Sequence, residues 1–419
     1  MVHRRAAPAS SLRLAVVTSQ LGCESFVLDE IAALVERVAS VVVAPVRPTL
    51  HRLHGDLVGV ADERAVRIPL VNRRILDGAA AAYRTWPDRA HAALAALVRG
   101  SRHPRVLAKN LSVFPKGLYL GALFAERGVA HVHAHWASVP ATMAFVAARV
   151  AGVPWSFTAH RWDIAENNLL GVKVRDAAFT RVISDGGRAE ILGLIGERDW
   201  PSLRTLHVGT AVPPTPPGVR RASGRGLRMA CVANLVPKKG HRHLIDACGL
   251  LLRRGRRFVC DVIGDGPLRA SLEAQVRDLG LQARVRLPGA RPHAEILGML
   301  ARGEVDVLVL PSIRTADGER EGIPVALMEA LAHGVPAVST PTGEIPELLG
   351  DGAGTLVPPG DAEALAGALE RVADHPDAMA RIAARGYERV RDAFNLPVVV
   401  DDLVRLMDGA AVTTIGRAA

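Results

Sequence analysis

Two carboxylates eight residues apart, Glu321 and Glu329, enclose the run Gly322-Ile323-Pro324-Val325-Ala326-Leu327-Met328. A proline suits the first turn of a helix, so the spacing predicts a helix beginning near Pro324. The first-turn N–H groups of such a helix have no intrahelical acceptor, and the dipole adds partial positive charge there, so that end favours an anion. At about 1.5 Å per helical residue, the two glutamates stand at most roughly 12 Å apart. Each carboxylate accepts hydrogen bonds from hydroxyls, while the helix end between them faces negative charge. A sugar and a ribose joined through a pyrophosphate have this layout, so the pattern fits a nucleotide-sugar.

Other segments carry chemistry at the ends of apolar runs. Cys231-Val232-Ala233-Asn234-Leu235-Val236-Pro237-Lys238-Lys239-Gly240 leaves a strand pattern and enters a helix pattern. A lysine at a glycine-bounded loop before a helix suits a phosphate, although an exposed loop explains Lys-Lys-Gly equally well. Ile263-Gly264-Asp265-Gly266-Pro267 is a strand-to-helix turn whose glycines permit close backbone approach, with Pro267 expected at the first helical position. Ser156-Phe157-Thr158-Ala159-His160-Arg161-Trp162-Asp163 places His160 and Asp163 just beyond another strand. His131, His133 and His135 alternate and so share one strand face, which raises the question of a metal. No fourth ligand is spaced to complete a site, and the chain has no Asp-x-Asp pair of the kind that holds a nucleotide-bound metal, so no metal and no cofactor are expected.

These segments need a scaffold that ends strands in loops along one edge. Leu14–Val17, Val38–Val43, Ala130–His133, Trp155–Phe157 and Arg181–Ile183 read as strands, with helical periodicity over Phe26–Val38 and Ala141–Ala151. The cycle restarts with strands at Arg228–Val232, Phe258–Ile263, Val285–Leu287, Val307–Leu310 and Ala337–Ser339, and helices starting near Gly240, Pro267, His293 and Pro324. Short buried strands alternating with helices imply parallel sheets, hence an α/β chain of two Rossmann-like domains facing a cleft. The prolines of Val212-Pro213-Pro214-Thr215-Pro216-Pro217 and the Gly/Ser/Arg stretch after them mark a linker. The expected division is a tail at 1–11, a first domain at 12–210, the linker at 211–226 and a second domain at 227–390.

Composition narrows the class. At 419 residues the chain exceeds one ordinary core, and its 49 % hydrophobic and 22 % charged residues suit a globular protein. Cys23, Cys231, Cys248 and Cys260 lack metal-ligand spacing and read as reduced thiols of a cytoplasmic protein. No apolar run reaches the length of a membrane-spanning helix. Met1-Val2-His3-Arg4-Arg5 looks like the start of a signal peptide, but the apolar Leu12–Val17 is short and runs into Thr18-Ser19-Gln20, so a first strand is expected instead of a leader. The net charge of +10 is locally concentrated: Val71–Leu120 holds nine Lys or Arg against two Asp or Glu, interleaved with Tyr83, Trp86, Leu94, Leu97, Val98, Phe114 and Leu118. Such a segment suits an anionic membrane surface on the inner face, or equally a helix pair with a basic outer side. No helix-turn-helix, zinc or RNA-recognition pattern accompanies it, which argues against nucleic acid.

Taken together and in order, the Phe157-Thr158-Ala159-His160 segment, the Val232–Gly240 loop, the Gly264–Pro267 turn and the Glu-x7-Glu run resemble retaining glycosyltransferases of family four, which have the GT-B fold. Glu24-Ser25-Phe26-Val27-Leu28-Asp29-Glu30-Ile31 and His133-Ala134-His135-Trp136-Ala137 look more narrowly like the branch that builds bacterial exopolysaccharides. The resemblance implies transfer of a sugar from a nucleotide-diphosphate sugar to a saccharide or polyprenyl-linked acceptor. It implies catalytic roles for Glu321, Lys239 and His160, with Lys239 on the departing diphosphate and Glu321 on sugar hydroxyls. Glu329 would take the ribose hydroxyls, and Gly322, Ile323, Pro324, Val325, Asn234, Gly264 and Gly289 would complete the donor side. Gly22, Ser25 and Asp163 would lie on the acceptor side, and a final helix near 391–410 would cross back to the first domain. One departure stands out: Asn234 occupies the place where the family usually has an arginine, so Lys238 or Arg242 must substitute or the leaving group is less stabilised. Gly343-Glu344 likewise replaces a Gly-Gly pair and adds a carboxylate near the donor. Competing readings are a GT-B nucleotide-sugar 2-epimerase and a membrane-docked protein of weak activity. A nicotinamide enzyme is disfavoured, because the first strand leads into no Gly-x-Gly-x-x-Gly.

Overall fold

The structure is a computed structural model that describes residues 10–20, 25–48, 55–215 and 226–418. Short aliphatic runs, buried on both faces, form two parallel sheets of six strands each. The first contains β1 (Ser10–Thr18), β2 (Val38–Pro45), β3 (His131–His135), β4 (Trp155–Ala159), β5 (Phe179–Val182) and β6 (Leu203–Thr205), in the order β2-β1-β3-β4-β5-β6. The second contains β7 (Leu227–Val232), β8 (Phe258–Ile263), β9 (Val285–Gly289), β10 (Val307–Leu310), β11 (Ala337–Ser339) and β12 (Thr355–Leu356), in the order β12-β11-β10-β7-β8-β9. Each sheet therefore has its first strand inside, and the winding reverses beside it, where the loops at the carboxyl edge part to leave a crevice. This is the doubly wound α/β architecture that the alternation of strand and helix predicted.

Contacts divide the chain into two units, Met1–Val208 with Pro397–Ala419, and Gly209–Leu396. The break falls just before the expected linker at 211–226, of which residues 216–225 lie outside the described residues. Pro213 belongs to the second unit, where its carbonyl accepts the Tyr387 hydroxyl at 2.8 Å. Several boundaries differ from the sequence reading. Strand β1 begins at Ser10, inside the expected tail, of which residues 1–9 lie outside the described residues. Strand β5 begins at Phe179 and takes in a wholly buried arginine, Arg181. The edge strands β6 and β12 have only three and two residues, too few to show a pattern. The closing helix runs Leu396–Ala418, later and longer than expected, and is tied within the first unit by Ser10 Oγ to Asp408 (2.9 Å) and Arg37 Nε to Asp401 (2.5 Å).

The basic window forms helices Arg73–Thr85, Pro87–Gly100, Pro104–Ser112 and Phe114–Glu126, the last three each with proline in the first turn. Lys116 is not on an outer face. It is fully buried and donates to the carbonyls of Pro45 (2.7 Å), Val46 (3.1 Å) and Ile68 (2.7 Å), at the end of β2 and beyond. Its helix can come that close to the core because Gly117 and Gly121 lie against helix Val139–Ala151. A Cβ on Gly121 would stand 2.5 Å from Val150 Cβ and 2.8 Å from the Ala147 carbonyl. Replacing Gly121 by alanine must push two helices apart and should destabilise the protein by about 1–3 kcal/mol. Gly193 is the control: it lies in helix Asp185–Ile195 with nothing within 4 Å of an added Cβ. Gly193→Ala should be neutral or stabilising by up to about 1 kcal/mol through helix propensity. Denaturant unfolding of both variants checks this, and equal effects would contradict the packing account.

Candidate functional site

In the second unit, four loops meet at the carboxyl edge through backbone contacts that only glycine allows. After β7 the chain makes a short 3-10 turn, Pro237–Lys239, and passes through Gly240 at φ +68 into helix His241–Arg253. A Cβ on Gly240 would lie 1.9 Å from the Pro311 carbonyl, so the lysine loop rests directly on the loop leaving β10. Ile313 N–H donates to the Lys238 carbonyl at 2.8 Å and fastens the two loops. Gly264, after β8, approaches the Ala233 carbonyl just as closely, and its N–H donates to the Gly289 carbonyl at the end of β9 (3.0 Å). Helix Arg269–Asp278 starts two residues after Pro267, so that proline belongs to the turn and not to the first helical position. From β11, the hydroxyls of Thr340 (2.5 Å) and Thr342 (3.0 Å) donate to the Ser312 carbonyl, and a Cβ on Gly343 would stand 2.0 Å from the Glu321 carbonyl.

This stitching brings Lys239 and Glu321 together. Lys239 Nζ donates to Glu321 Oε2 at 2.9 Å, with 17 % and 6 % of the two side chains exposed. Glu321 Oε1 is buried and without a hydrogen-bond partner. Pro324 caps the helix Val325–Ala332, one residue earlier than a first-turn position, and an added Cβ on Gly322 would meet nothing within 4 Å. Space therefore stands beside the turn that carries Gly322 and Ile323. At the far side, Glu329 Oε1 is 2.6 Å from His293 Nε2, and the Glu329 carbonyl is 2.8 Å from His333 Nδ1. Spacing alone did not reveal His293, which opens helix His293–Ala301, 36 residues before its partner. Asn234 is exposed, and among the described residues neither Lys238 nor Arg242 makes an ion pair. Glu344 is buried near Arg320, at 3.8 Å.

In the first unit the ends of β3 and β4 are joined by Asp163. Its Oδ2 accepts N–H groups from Ala137 (3.0 Å) and His160 (3.2 Å). Asp163 is thus buried and sets the loop, whereas the sequence reading put it among groups facing an acceptor. Burial pushes its carboxyl up to about 6, against the pull of those two N–H groups. Lys173, also buried, donates to the carbonyls of Ala137, Ser138 and Asn168 at 2.6–2.8 Å and holds the same loop from below. Between these anchors Trp136 takes φ +70, a costly backbone for a tryptophan, and its ring lies 5.5 Å from that of His160. Burial, then His135 and Arg181, pushes the His160 imidazole down to about 3, so it is neutral at pH 7. Ser25 begins helix Ser25–Arg37, half-buried, and Gly22 lies outside the described residues.

The three histidines of β3 share a face, as alternation requires, and that face is polar and buried. His131 Nε2 and His133 Nδ1 both lie 2.7 Å from Ser156 Oγ, and His133 Nε2 is 2.9 Å from Thr158 Oγ1. Glu30, His133 and His135 bring one ligand atom each to within 4.8 Å of one another, a grouping hidden from the sequence because Glu30 comes from helix Ser25–Arg37. A cation is already there: Arg181 Nη1 is 2.6 Å from Glu30 Oε2, and Glu30 Oε1 is 3.2 Å from His135 Nε2. Burial alone would raise the Glu30 carboxyl, but Arg181 and His135 outweigh it and hold it well below its ordinary value. The arrangement is a buried ion pair between Glu30 and Arg181, with Glu30 Oε1 and both ring nitrogens of His135 left without a hydrogen-bond partner.

His241, next to the lysine loop, gives the site a measurable acid sensitivity. It is 1 % exposed, neither ring nitrogen has a partner, and burial followed by Lys239 pushes it down to about 4. In the unfolded chain an imidazole titrates near 6.5. Between about pH 4 and 6.5 the unfolded state then binds the extra proton, so stability rises with pH and is lost on acidification. His241→Leu should flatten this limb by one proton, about 1.4 kcal/mol per pH unit. Denaturant unfolding at several pH values measures it, and an unchanged slope would show that His241 does not titrate this way.

Known proteins resemble this chain in sequence over its second unit and in fold over most of its length. Residues 221–389 match the family model described as glycosyl transferases group 1. The putative colanic acid biosynthesis glycosyltransferase WcaL of Escherichia coli (strain K12) is 37 % identical over 229 residues, 54 % of this chain and 55 % of that protein. The amylovoran biosynthesis glycosyltransferase AmsK of Erwinia amylovora is 38 % identical over 194 residues, 46 % and 47 % of the two chains. The matched region spans about half the length of these curated relatives. Among solved structures, Anabaena HepE in complex with UDP superposes with a TM-score of 0.68 over 95 % of this chain and all of that one, at 15 % identity, a likeness of fold. Residues 221–389 thus form a domain of the glycosyl transferases group 1 family, in a chain whose two parallel-sheet units have the GT-B fold.

Proposed function

We propose that this chain is a retaining glycosyltransferase, moving a sugar from a nucleotide-diphosphate sugar to a saccharide or lipid-linked saccharide in exopolysaccharide synthesis. The observation that carries the reading is the meeting of Lys239 and Glu321 beside the start of helix Val325–Ala332, with Glu329 on the same helix. The curated relatives named for colanic acid and amylovoran biosynthesis support the pathway, and the UDP bound by the solved neighbour supports a nucleotide donor. In this reading Lys239 moves onto the departing diphosphate, where charge develops in the transition state. Glu321 takes sugar hydroxyls, Glu329 takes ribose hydroxyls, and the backbone at Gly322–Val325 faces the sugar and phosphates. Gly264 and Gly289 line the nucleotide side. From the first unit, His160 is the proposed catalytic contribution, a neutral imidazole able to hydrogen-bond without placing positive charge beside an oxocarbenium ion.

Retention then follows a front-face displacement. The acceptor oxygen bonds to the anomeric carbon as the carbon–phosphate oxygen bond breaks, and the acceptor proton passes to the departing phosphate oxygen. No metal is required in this scheme, because Lys239 and the helix start carry the neutralisation. The acceptor is proposed to sit on a lipid carrier at an anionic membrane. Exposed Val71, Leu76 and Val98 support that, as does an apolar cavity of about 460 Å³ lined by Leu76, Tyr83, Phe114 and Leu118, with Arg84 in its wall.

The decisive experiment screens UDP-, GDP- and ADP-sugars for nucleotide release, with and without a polyprenyl-linked acceptor and with EDTA present. Acceptor-dependent release from one donor, undiminished by EDTA and giving a product of retained anomeric configuration, is expected. Epimerised donor without release would point to the 2-epimerase alternative, and folded protein inert to every donor would point to a binding role. Lys239→Ala should lower kcat by roughly 100-fold or more. Should Lys238→Ala abolish turnover while Lys239→Ala leaves it intact, the diphosphate assignment is wrong. A glycosylated enzyme trapped with a slow donor would replace the front-face route by double displacement.

A further inference from the structure

The pairing of Lys239 with Glu321 has a consequence for the end of the catalytic cycle. Glu321 is 5 % exposed, its Oε2 accepts from Lys239 at 2.9 Å, and its Oε1 is buried with no partner. Lys239 Nζ in turn makes no other hydrogen bond or ion pair among the described residues. Each side chain is therefore the other's partner, on backbone that Gly343 packs against at Glu321 and that Gly240 fastens to Pro311 beside Lys239. A buried carboxylate with one unsatisfied oxygen is costly, and the cost grows if its only cation is taken away.

We propose that Glu321 is the group that expels the nucleoside diphosphate product, by competing with it for Lys239. The inference rests on the donor-site reading above. An intact nucleotide-sugar draws Lys239 onto its diphosphate but compensates Glu321 with sugar hydroxyls, so both charges stay satisfied. Once the sugar has been transferred, those hydroxyls are gone. The bare nucleoside diphosphate then holds Lys239 while leaving Glu321 buried, unpaired and beside a like charge. Return of Lys239 to Glu321 relieves both penalties and releases the product. Glu321 thereby lets one site favour substrate over a product that shares most of its atoms, through a repulsive element acting on the product alone. The usual expectation, that a phosphate site collects only positive charge, would give the opposite: a nucleoside diphosphate bound as tightly as its sugar conjugate and strong product inhibition.

The test compares binding of UDP, GDP and ADP, and of the matching nucleotide-sugar, to full-length wild type and Glu321→Gln by calorimetry. Glutamine keeps the shape and accepts hydroxyls but neither holds Lys239 as an ion pair nor repels a diphosphate. The nucleoside diphosphate should bind Glu321→Gln at least 10-fold tighter than wild type, and the preference for nucleotide-sugar over nucleoside diphosphate should fall at least 10-fold, with turnover lost. In a Lys239→Met background the same substitution should tighten binding by less than 3-fold, since no cation remains to contest. Equal or weaker binding of the diphosphate to Glu321→Gln overturns the proposal. So does undiminished tightening in the Lys239→Met background, which would leave only general repulsion. If no nucleoside diphosphate binds even wild type, the donor-site reading itself falls and this proposal with it. Thermal unfolding verifies the fold of each variant, and Glu321→Ala, read by the same criteria, replaces the glutamine variant if that one does not fold.

Discussion

Three carbonyls, those of Ala233, Pro311 and Glu321, each lie about 2 Å from the point where a Cβ would stand on Gly264, Gly240 and Gly343. That spacing leaves room for a hydrogen and nothing more, and all three glycines have positive φ. The loops leaving β7, β8, β10 and β11 are therefore in backbone contact with one another and do not merely pass nearby. Everything proposed for the second unit depends on this contact. It sets Lys239 against Glu321 across 82 residues of chain. The hydroxyls of Thr340 and Thr342 on the Ser312 carbonyl finish the same seam from the other side.

The first unit positions its residues by a different means. Two buried lysines, Lys116 and Lys173, each donate to three backbone carbonyls, among them Pro45 and Val46 at the end of β2 and Ala137 and Ser138 after β3. Loop carbonyls that would otherwise need water are satisfied internally, and the loops are fixed in the process. Asp163 does the converse job for N–H groups. The strained Trp136 persists because it is held between these anchors. A neutral His160 follows from the same dryness, since burial is the main cause of its lowered proton affinity.

Much of this was legible in the residues. Strand positions such as Val307–Leu310 were plain because a strand buried on both faces leaves an unbroken apolar run. The helix after Pro324 and the glycines of the turns were equally readable, since Pro and Gly dictate local backbone. What escaped was pairing at a distance. Nothing local links His293 to Glu329, or Glu30 to Arg181, and the resemblance put Asp163 on the acceptor side, whereas its carboxylate accepts from backbone N–H groups. Lys116 was counted with the basic surface because composition does not register burial. One signal was available and misread: an arginine inside the apolar strand run at 179–182 should announce a buried anion to match it.

That arginine has a bearing on how such chains can be recombined. Glu30, His135 and Arg181 come from the first helix and from β3 and β5, elements separated by some 150 residues, yet they share one enclosed charge balance. Removing one member of a buried ion pair typically costs about 3–5 kcal/mol, whereas replacing all members by apolar residues is often tolerated. The three segments are thus energetically coupled. A chimera that takes its opening β-α-β segment from a relative keeps a stable first unit only if the donor segment brings an acid to meet Arg181, or if Arg181 and His135 are exchanged along with it.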